Sequence, residues 1–270
     1  MDDKHNLVLI VGAMKAGTTS LFKMLSQHPE ILPTNRKETH FFNKNYDKGI
    51  AFYNSFWPEI ETDTRFLLES TPAYSQCHIH ENVPERIYRH YPNAKIIYIV
   101  RDRLDRIESM FRQYVNDTND TRNINEHLPQ FIVDTSNYYY QISRFTHVFD
   151  KKQIFLMTTE SLELNPELCL SRLCDWLGVE NITFQNGAIK YGDSRVTNTF
   201  AYQTLRKVRL LKVLSTLLSQ RSKYAIITWL SSSERIKESQ FQLSSKKRQE
   251  LLLYFKNDMA LLKSEFNIEA

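Results

Sequence analysis

Glycine, cysteine and long apolar runs are all scarce in this chain of 270 residues. Six residues are glycine, about a third of average usage, so glycines that lie close together indicate a backbone that requires them. The three cysteines (Cys77, Cys169, Cys174) have no metal-like spacing, which argues against a disulfide framework or a cysteine zinc site. No apolar stretch reaches the ~18 residues of a membrane-spanning helix, and no secretory signal precedes the first strand-like segment. We therefore expect a soluble, cytoplasmic protein with free thiols.

Composition is that of an ordinary globular protein, but the charge is unevenly spread. Hydrophobic residues make up 41% and charged residues 24%, which excludes disorder, collagen-like repeats and a coiled coil as the main architecture. From Thr197 onward, 13 Lys/Arg stand against six Asp/Glu. Such a region could bind nucleic acid, an anionic glycan or a membrane surface, but solvated helix faces are the commoner cause, and we expect no nucleic acid partner. The basic amphipathic segment 205–212 leaves peripheral membrane contact as an alternative to a packed helix.

Strand-like and helical segments alternate along the chain. Apolar β-favouring runs lie at 7–11, 95–100 and 153–157, and helical patterns follow them at about 18–28, 104–115 and 167–177, the last with Gly178 as its C-cap. The alternation predicts a three-layer α/β fold of the P-loop type, in which helices flank a central parallel sheet. We expect a single domain over 1–270. Residues 116–135 are polar and predict a long surface loop, and the region of about 197–268 is predicted to be mainly helical.

A compact loop follows the first predicted strand and reads GAMKAGTTSL from Gly12 to Leu21. Between a strand and a helix, such a loop directs several backbone N–H groups and the positive helix end at one point, which suits a phosphate or a similar oxyanion. The nucleotide triphosphatase loop instead has lysine directly after its second glycine, followed by Ser/Thr for magnesium. Here Lys15 precedes Gly17 and Thr18 follows it, so we expect a different anion. The alternative is a tight turn with Thr18 as a helix N-cap.

This loop resembles the 5′-phosphosulfate loop of sulfotransferases that use 3′-phosphoadenosine 5′-phosphosulfate (PAPS). The other half of that family's signature is a strand ending in arginine with a serine eight residues later, and IYIVRDRLDRIESMF is similar to it. The resemblance implies that Arg101 and Ser109 bind the 3′-phosphate, which suits a guanidinium at the carboxyl end of a strand and a hydroxyl on the adjoining helix. A surface salt bridge from Arg101 to Asp105 is the ordinary alternative. A donor-binding core over about 5–180 is implied, with the 5′-phosphosulfate held by Lys15, Ala16, Gly17, Thr18, Thr19 and Ser20.

The stretch RKETHFFN resembles the glycan sulfotransferases of the heparan sulfate class, N- and 3-O-sulfotransferase-like, in which a glutamate two positions before His-Phe-Phe is the catalytic base. That resemblance assigns the base to Glu38, whereas by itself this residue is a surface carboxylate beside Lys37. His40 either supports Glu38 or is a second acid/base group, and we favour support. NYDKGIAFYNSFWP and LESTPAYS are similar to further segments of the class, so the resemblance extends over about 7–114. Ser70 departs from it, because the class has lysine there, and this departure concerns the acceptor.

The resemblance implies an in-line transfer of a sulfuryl group from PAPS, without a metal, to a hydroxyl or amine of a carbohydrate or small-molecule acceptor. Glu38 would remove the acceptor proton, and Lys15 with the loop amides would stabilise the leaving 5′-phosphate. Basic loops of the family fold over the 3′-phosphate, which implies a contact from Arg195. Two alternatives stay open: a P-loop small-molecule kinase, and a non-catalytic protein that binds an anion or nucleotide. The sequence does not predict the oligomeric state.

Overall fold

The structure is a computed structural model that describes residues 6–60, 62–118, 120–184 and 238–270. Two sequence predictions fall outside these ranges, the contact from Arg195 and the basic segment 205–212. Most of the region predicted to be helical in the last third of the chain is outside them as well. The three predicted strands and the predicted anion loop all lie within the described ranges.

Five parallel strands form one sheet in the order β2-β3-β1-β4-β5. The central strands β3, β1 and β4 are almost entirely buried, as in parallel sheets that are covered on both faces. Strands β2 and β3 lie on one side of β1, and β4 and β5 lie on the other, so the order in which strands are added to the sheet changes side at β1. Open α/β sheets bind their ligands beyond the carboxyl ends of the strands at such a point. The strands are β1 (Asn6–Gly12), β2 (Ile31–Pro33), β3 (Phe66–Ser70), β4 (Lys95–Val100) and β5 (Ile154–Thr158).

Helices connect these strands and flank the sheet, which confirms the predicted three-layer α/β fold. The three predicted strands and the helices after them are present, and Gly178 ends α9 in the left-handed conformation with φ 72°. The two additional strands, β2 and β3, were not predicted. The helices are α1 (Thr18–Leu25), α2 (Phe41–Lys44), α3 (Ile50–Asn54), α4 (Val83–His90), α5 (Arg103–Thr118), α6 (Gln130–Asp134), α7 (Tyr138–Thr146), α8 (Thr159–Leu164), α9 (Pro166–Leu177) and α10 (Ser245–Phe266).

The segment 116–135 is not the long surface loop that its polar composition predicts. Helix α5 continues to Thr118, and α6 occupies the end of the segment. Ile124, Ile132 and Val133 are buried in an apolar cluster with residues of α5 and α10. The backbone N–H of Ile124 also donates to a carbonyl near α10 over 2.9 Å. The prediction was wrong because a few apolar side chains are enough to anchor an otherwise polar segment to a distant helix.

A buried ion pair joins α5 to α10. Arg103 Nη2 lies 2.8 Å from Asp258 Oδ2, and the two side chains are only 2% and 10% exposed. The Asp258 carboxylate also accepts from the backbone N–H groups of Tyr139 and Tyr140, over 3.1 and 3.0 Å, at the start of α7. Removal of one partner from a buried pair leaves an uncompensated charge and is strongly destabilising. Asp258 therefore ties α10 to both α5 and α7.

Candidate active site

The predicted anion loop begins at the carboxyl end of β1, in the centre of the sheet. Gly12 is packed so closely there that a Cβ atom would lie 2.1 Å from Ser75 Oγ and 2.7 Å from the Tyr98 ring. Side chains cannot approach so near without a shift of the backbone. The scarce glycine at this position is therefore a packing requirement of the strand end.

The loop passes into α1 through two residues in the left-handed region. Lys15 has φ 68° and Gly17 has φ 85°. Gly17 is the N-cap of α1, and no side chain caps the helix. The alternative interpretation, with Thr18 as the N-cap, is therefore wrong, because Thr18 is already the first helical residue. An uncapped helix start leaves backbone N–H groups available to a ligand.

The predicted phosphosulfate contacts lie together at this junction. Thr18 and Ser20 are buried in the first turn of α1, whereas Thr19 is exposed. Ala16 is fully buried, and its carbonyl accepts from Thr159 Oγ1 over 2.7 Å, which ties the loop to the start of α8 beyond β5. The loop thus has a defined position between two strand ends, with its amides and hydroxyls at one place.

Two cations from different strands meet near this junction. Lys15 is half-buried, and burial is the main cause that lowers the pKa of its ammonium group, followed by the positive charge of Arg101, while Asp117 raises it. Lys15 follows β1 and Arg101 follows β4, so the fold brings together the two halves of the signature. A pair of neighbouring cations suits a ligand with several negative charges.

Arg101 also forms the salt bridge to Asp105 that the sequence predicts as the alternative to phosphate binding. Its Nη2 lies 3.5 Å from Asp105 Oδ2, while its side chain is 16% exposed. Ser109 is half-buried and follows Asp105 by four residues in α5, so the two lie on the same helix face. The Arg101 carbonyl accepts from Tyr138 OH over 2.8 Å, which fixes the backbone at this strand end. Arg101 and Ser109 therefore share one side of the junction, and their contact with a 3′-phosphate stays a prediction.

Glu38 lies beyond β2, at the same edge of the sheet. Its backbone N–H donates to the Ser70 carbonyl at the end of β3 over 3.0 Å. The side chain is 41% exposed, with Lys37 Nζ 2.7 Å from Oε1 and His40 Nε2 3.6 Å from Oε2. The carboxylate is thus open to a ligand and flanked by a cation and an imidazole. This geometry suits a general base, and the contact with Lys37 expected of a plain surface carboxylate is present too.

His40 is 26% exposed beside Glu38. Burial is the largest cause that lowers the pKa of its imidazole, and the positive charge of Lys44 adds to it, whereas Glu38 acts in the opposite direction. The lowered pKa favours the neutral imidazole, in which one ring nitrogen donates a hydrogen bond and the other accepts one. At 3.6 Å the two side chains are close without a direct hydrogen bond. The supporting role of His40 stays a prediction.

A buried carboxyl group behind this loop was missed by the sequence analysis. Glu69 is the fourth residue of β3 and is fully buried. It accepts hydrogen bonds from Thr39 Oγ1 over 3.2 Å, from Tyr53 OH over 3.2 Å, and from Thr71 Oγ1. Burial raises the pKa of Glu69 to about 7, although the hydroxyl hydrogen bonds lower it. The sequence signal that could have revealed it is an acidic residue inside an apolar β-favouring run.

The raised pKa of Glu69 predicts how stability depends on pH. The folded protein holds this proton more tightly than the unfolded chain, so the stabilisation is complete below pH 4.5 and is lost as the pH rises to about 7. We expect the free energy of unfolding to fall by about 3 kcal/mol over that interval through this group. Urea unfolding of wild type and of Glu69→Gln measures it. An identical slope in both proteins would contradict the prediction.

Within the described ranges, no three His, Cys, Asp or Glu side chains lie close enough to hold a metal ion, and no helix is long and apolar enough to span a membrane. All three cysteines are free thiols, with Cys77 and Cys174 buried.

Comparison with known protein families shows to which family this chain belongs. The family described as "Sulfotransferase domain" matches residues 5–251. The chain belongs to this sulfotransferase family. The predicted family is thereby confirmed, and the P-loop kinase and the non-catalytic binding protein find no support.

Relatives of this sulfotransferase-family chain include human heparan sulfate glucosamine 3-O-sulfotransferase 3B1, at 28% identity over 192 residues, covering 64% of this chain and 46% of that protein. Human heparan sulfate glucosamine 3-O-sulfotransferase 5 is 37% identical over 117 residues, which cover 40% and 32% of the two chains. The chain thus spans less than half the length of these curated relatives. A sulfotransferase structure from Alicyclobacillus acidocaldarius has the same fold, with a TM-score of 0.67 at 21% identity over 98% of this chain and 97% of that one.

Proposed function

We propose that this chain transfers a sulfuryl group from PAPS to a hydroxyl or amine of a glycan. The observation that carries the proposal is the composition of one sheet edge. Two cations from neighbouring strands, Lys15 and Arg101, lie at an open helix N-terminus, and the carboxylate of Glu38 lies at the same edge. The two cations and the helix N-terminus suit a polyanionic donor, and the Glu38 carboxylate suits removal of a proton from an acceptor.

Each residue has a role that follows from its position. Lys15 and the first-turn amides of α1 stabilise the charge that develops on the leaving 5′-phosphate. Arg101 and Ser109 bind the 3′-phosphate, the group that distinguishes PAPS from ordinary adenylates. Glu38 takes the proton from the acceptor as the sulfur–oxygen bond forms, and the bond to the 5′-phosphate breaks in line with it. The sulfuryl group carries less charge than a phosphoryl group, so these residues suffice without a metal.

A glycan is the proposed acceptor because the relatives are named as sulfotransferases of heparan sulfate glucosamine. One feature makes the acceptor side of this chain distinct. Ser70 stands where the class has lysine, and its Oγ is buried with no hydrogen-bond partner among the described residues. A buried hydroxyl in place of a long cation removes a contact for an acidic acceptor group. We therefore propose a glycan acceptor with fewer acidic groups than heparan sulfate. Cytoplasmic localisation stays a prediction.

The donor is tested by calorimetric titration with 3′-phosphoadenosine 5′-phosphate (PAP), in parallel with ATP plus magnesium. We expect PAP to bind without a metal and ATP to bind weakly. Preference for ATP with magnesium would overturn the donor assignment, and binding of neither would overturn the proposal as a whole. Transfer from ³⁵S-labelled PAPS to heparan sulfate and to unsulfated heparosan then compares acidic and less acidic acceptors. Labelling of heparan sulfate alone contradicts the proposed acceptor preference.

A further inference from the structure

The loop that carries Glu38 has an unfavourable backbone. Glu38 has φ 64° and His40 has φ 52°, and neither is a glycine. A non-glycine residue is rarely found in this region because its Cβ atom is crowded there, so the conformation persists only where surrounding contacts enforce it. Two such residues flank Thr39, so contacts of this segment with the rest of the protein must hold its backbone in place.

Thr39 is anchored beneath the loop by its hydroxyl group. The side chain is buried, with 2% of the residue exposed. Its Oγ1 lies 3.2 Å from Glu69 Oε1 and 3.1 Å from Tyr74 OH, and it accepts from the backbone N–H of Phe41 over 3.2 Å. A second link runs from the other side of the loop, where the His40 N–H donates to Thr71 Oγ1 over 3.4 Å and Thr71 Oγ1 in turn donates to Glu69. Both links end on the same carboxyl group.

An ionised Glu69 fixes the direction of every hydrogen bond in this network. A carboxylate only accepts, so the Thr39 hydroxyl must donate to it. Tyr74 OH must then donate to Thr39, which leaves the Tyr74 oxygen to accept from the Phe42 N–H over 3.3 Å. Each hydroxyl therefore has one possible orientation. Networks in which every member is satisfied rigidify the backbone that they hold.

We infer that Glu69 is a positioning residue, which holds Glu38 and His40 in place for the reaction through the hydroxyl groups of Thr39 and Thr71. The inference rests on the proposed function, since it is that function which makes Glu38 the base. Glu69 itself does not face the ligand, because it is fully buried below the loop. Its effect on the reaction passes through the backbone on either side of Thr39.

Protonation of Glu69 disturbs the network. A neutral carboxyl group has a proton to donate, so one of the hydroxyl groups that point at it must turn away. The titratable groups that face it are Tyr53 from α3 and Tyr74 from the 3₁₀ turn after β3, and burial raises the pKa of both phenols well above the ordinary value. Both therefore stay neutral while Glu69 titrates, with a pKa of about 7. The order of the loop should then change in the same pH interval.

The test uses the imidazole of His40 as a reporter that needs no acceptor. ¹H–¹³C NMR spectra of histidine-labelled full-length protein are recorded between roughly pH 5 and 9, and His40→Gln assigns the signal. In wild type we expect a His40 pKa below the ordinary value and a second inflection near pH 7 from Glu69. Glu69→Gln removes the titrating group, so the inflection should disappear. Thr39→Val removes one of the two links at constant shape, so the inflection should become smaller, and the His40 pKa should rise as the loosened loop exposes the imidazole. Thr39→Ser keeps the hydroxyl and should restore the wild-type curve.

Thr34→Val is the matched control, because Thr34 is also buried near this loop and its Oγ1 has no partner among the described residues. It should leave the curve unchanged. PAP calorimetry on each variant checks the donor site, where we expect affinities within about twofold of wild type. A Thr39→Val protein with the wild-type His40 titration overturns the inference. Failure of wild type to bind PAP overturns the proposed function instead, and the NMR curves still decide whether Glu69 controls the loop.

Discussion

Glu38→Gln is expected to lower the kcat for sulfuryl transfer by about 10²–10⁴-fold, the usual contribution of a general base. Glutamine keeps the size and shape of the side chain but cannot take a proton from the acceptor. Residues other than Glu38 form the proposed PAPS site, so the affinity for PAP should remain unchanged. Transfer of ³⁵S from labelled PAPS to whichever of heparan sulfate and heparosan is the better acceptor measures kcat, and calorimetry measures PAP affinity on the same protein.

The control for this variant is Glu126→Gln, which makes the same chemical change at an exposed glutamate outside the site. Its turnover should equal that of wild type. A Glu38→Gln enzyme with near-normal kcat would remove Glu38 as the base, and a parallel loss of PAP affinity would make its role structural.

Lys15→Ala is expected to weaken PAP binding by about 10- to 100-fold, the equivalent of one charge-assisted hydrogen bond of roughly 1.5–3 kcal/mol. The ammonium group is half-buried, so water screens it less than a surface lysine. Because burial and Arg101 lower the pKa of Lys15, wild-type affinity should also fall at alkaline pH earlier than for an ordinary lysine. Calorimetric titration across pH and salt concentration measures both effects.

Lys23→Ala supplies the comparison, since Lys23 is an exposed residue in the last turn of the same helix α1. It should leave PAP affinity within about twofold of wild type, because an exposed charge at the far helix end is screened. Equal losses in the two variants would mean that Lys15 acts only through the net charge of the protein.

The fold could be predicted where strands are long and continuously apolar. β1 and β4 are of this kind, and their burial leaves a clear pattern. β2 has three residues and ends in proline, while β3 turns polar at Glu69, so neither shows a strand pattern. Segment 116–135 differs from the predicted loop for a related reason, because its buried side chains contact α10, which lies far away in the chain. Local patterns record the composition of a segment but not its distant contacts.

The residues of the candidate site that lie just after strands could be predicted from the sequence. Lys15 lies in the loop after β1 and Arg101 comes directly after β4, so parallel pairing brings them to one edge. Glu38 was found only through the resemblance of RKETHFFN to a family motif. Glu69 was missed because its importance depends on hydrogen bonds to residues up to 30 positions away. The left-handed backbone on both sides of Thr39 likewise has no sequence signature, since neither residue is glycine.

The ion pair between Arg103 and Asp258 also orders events on the ribosome. The partners are 155 residues apart, so at ordinary synthesis rates Arg103 emerges roughly 10 to 30 s before the carboxylate that neutralises it. Until α10 is made, α5 cannot bury this guanidinium in its final place without an uncompensated charge.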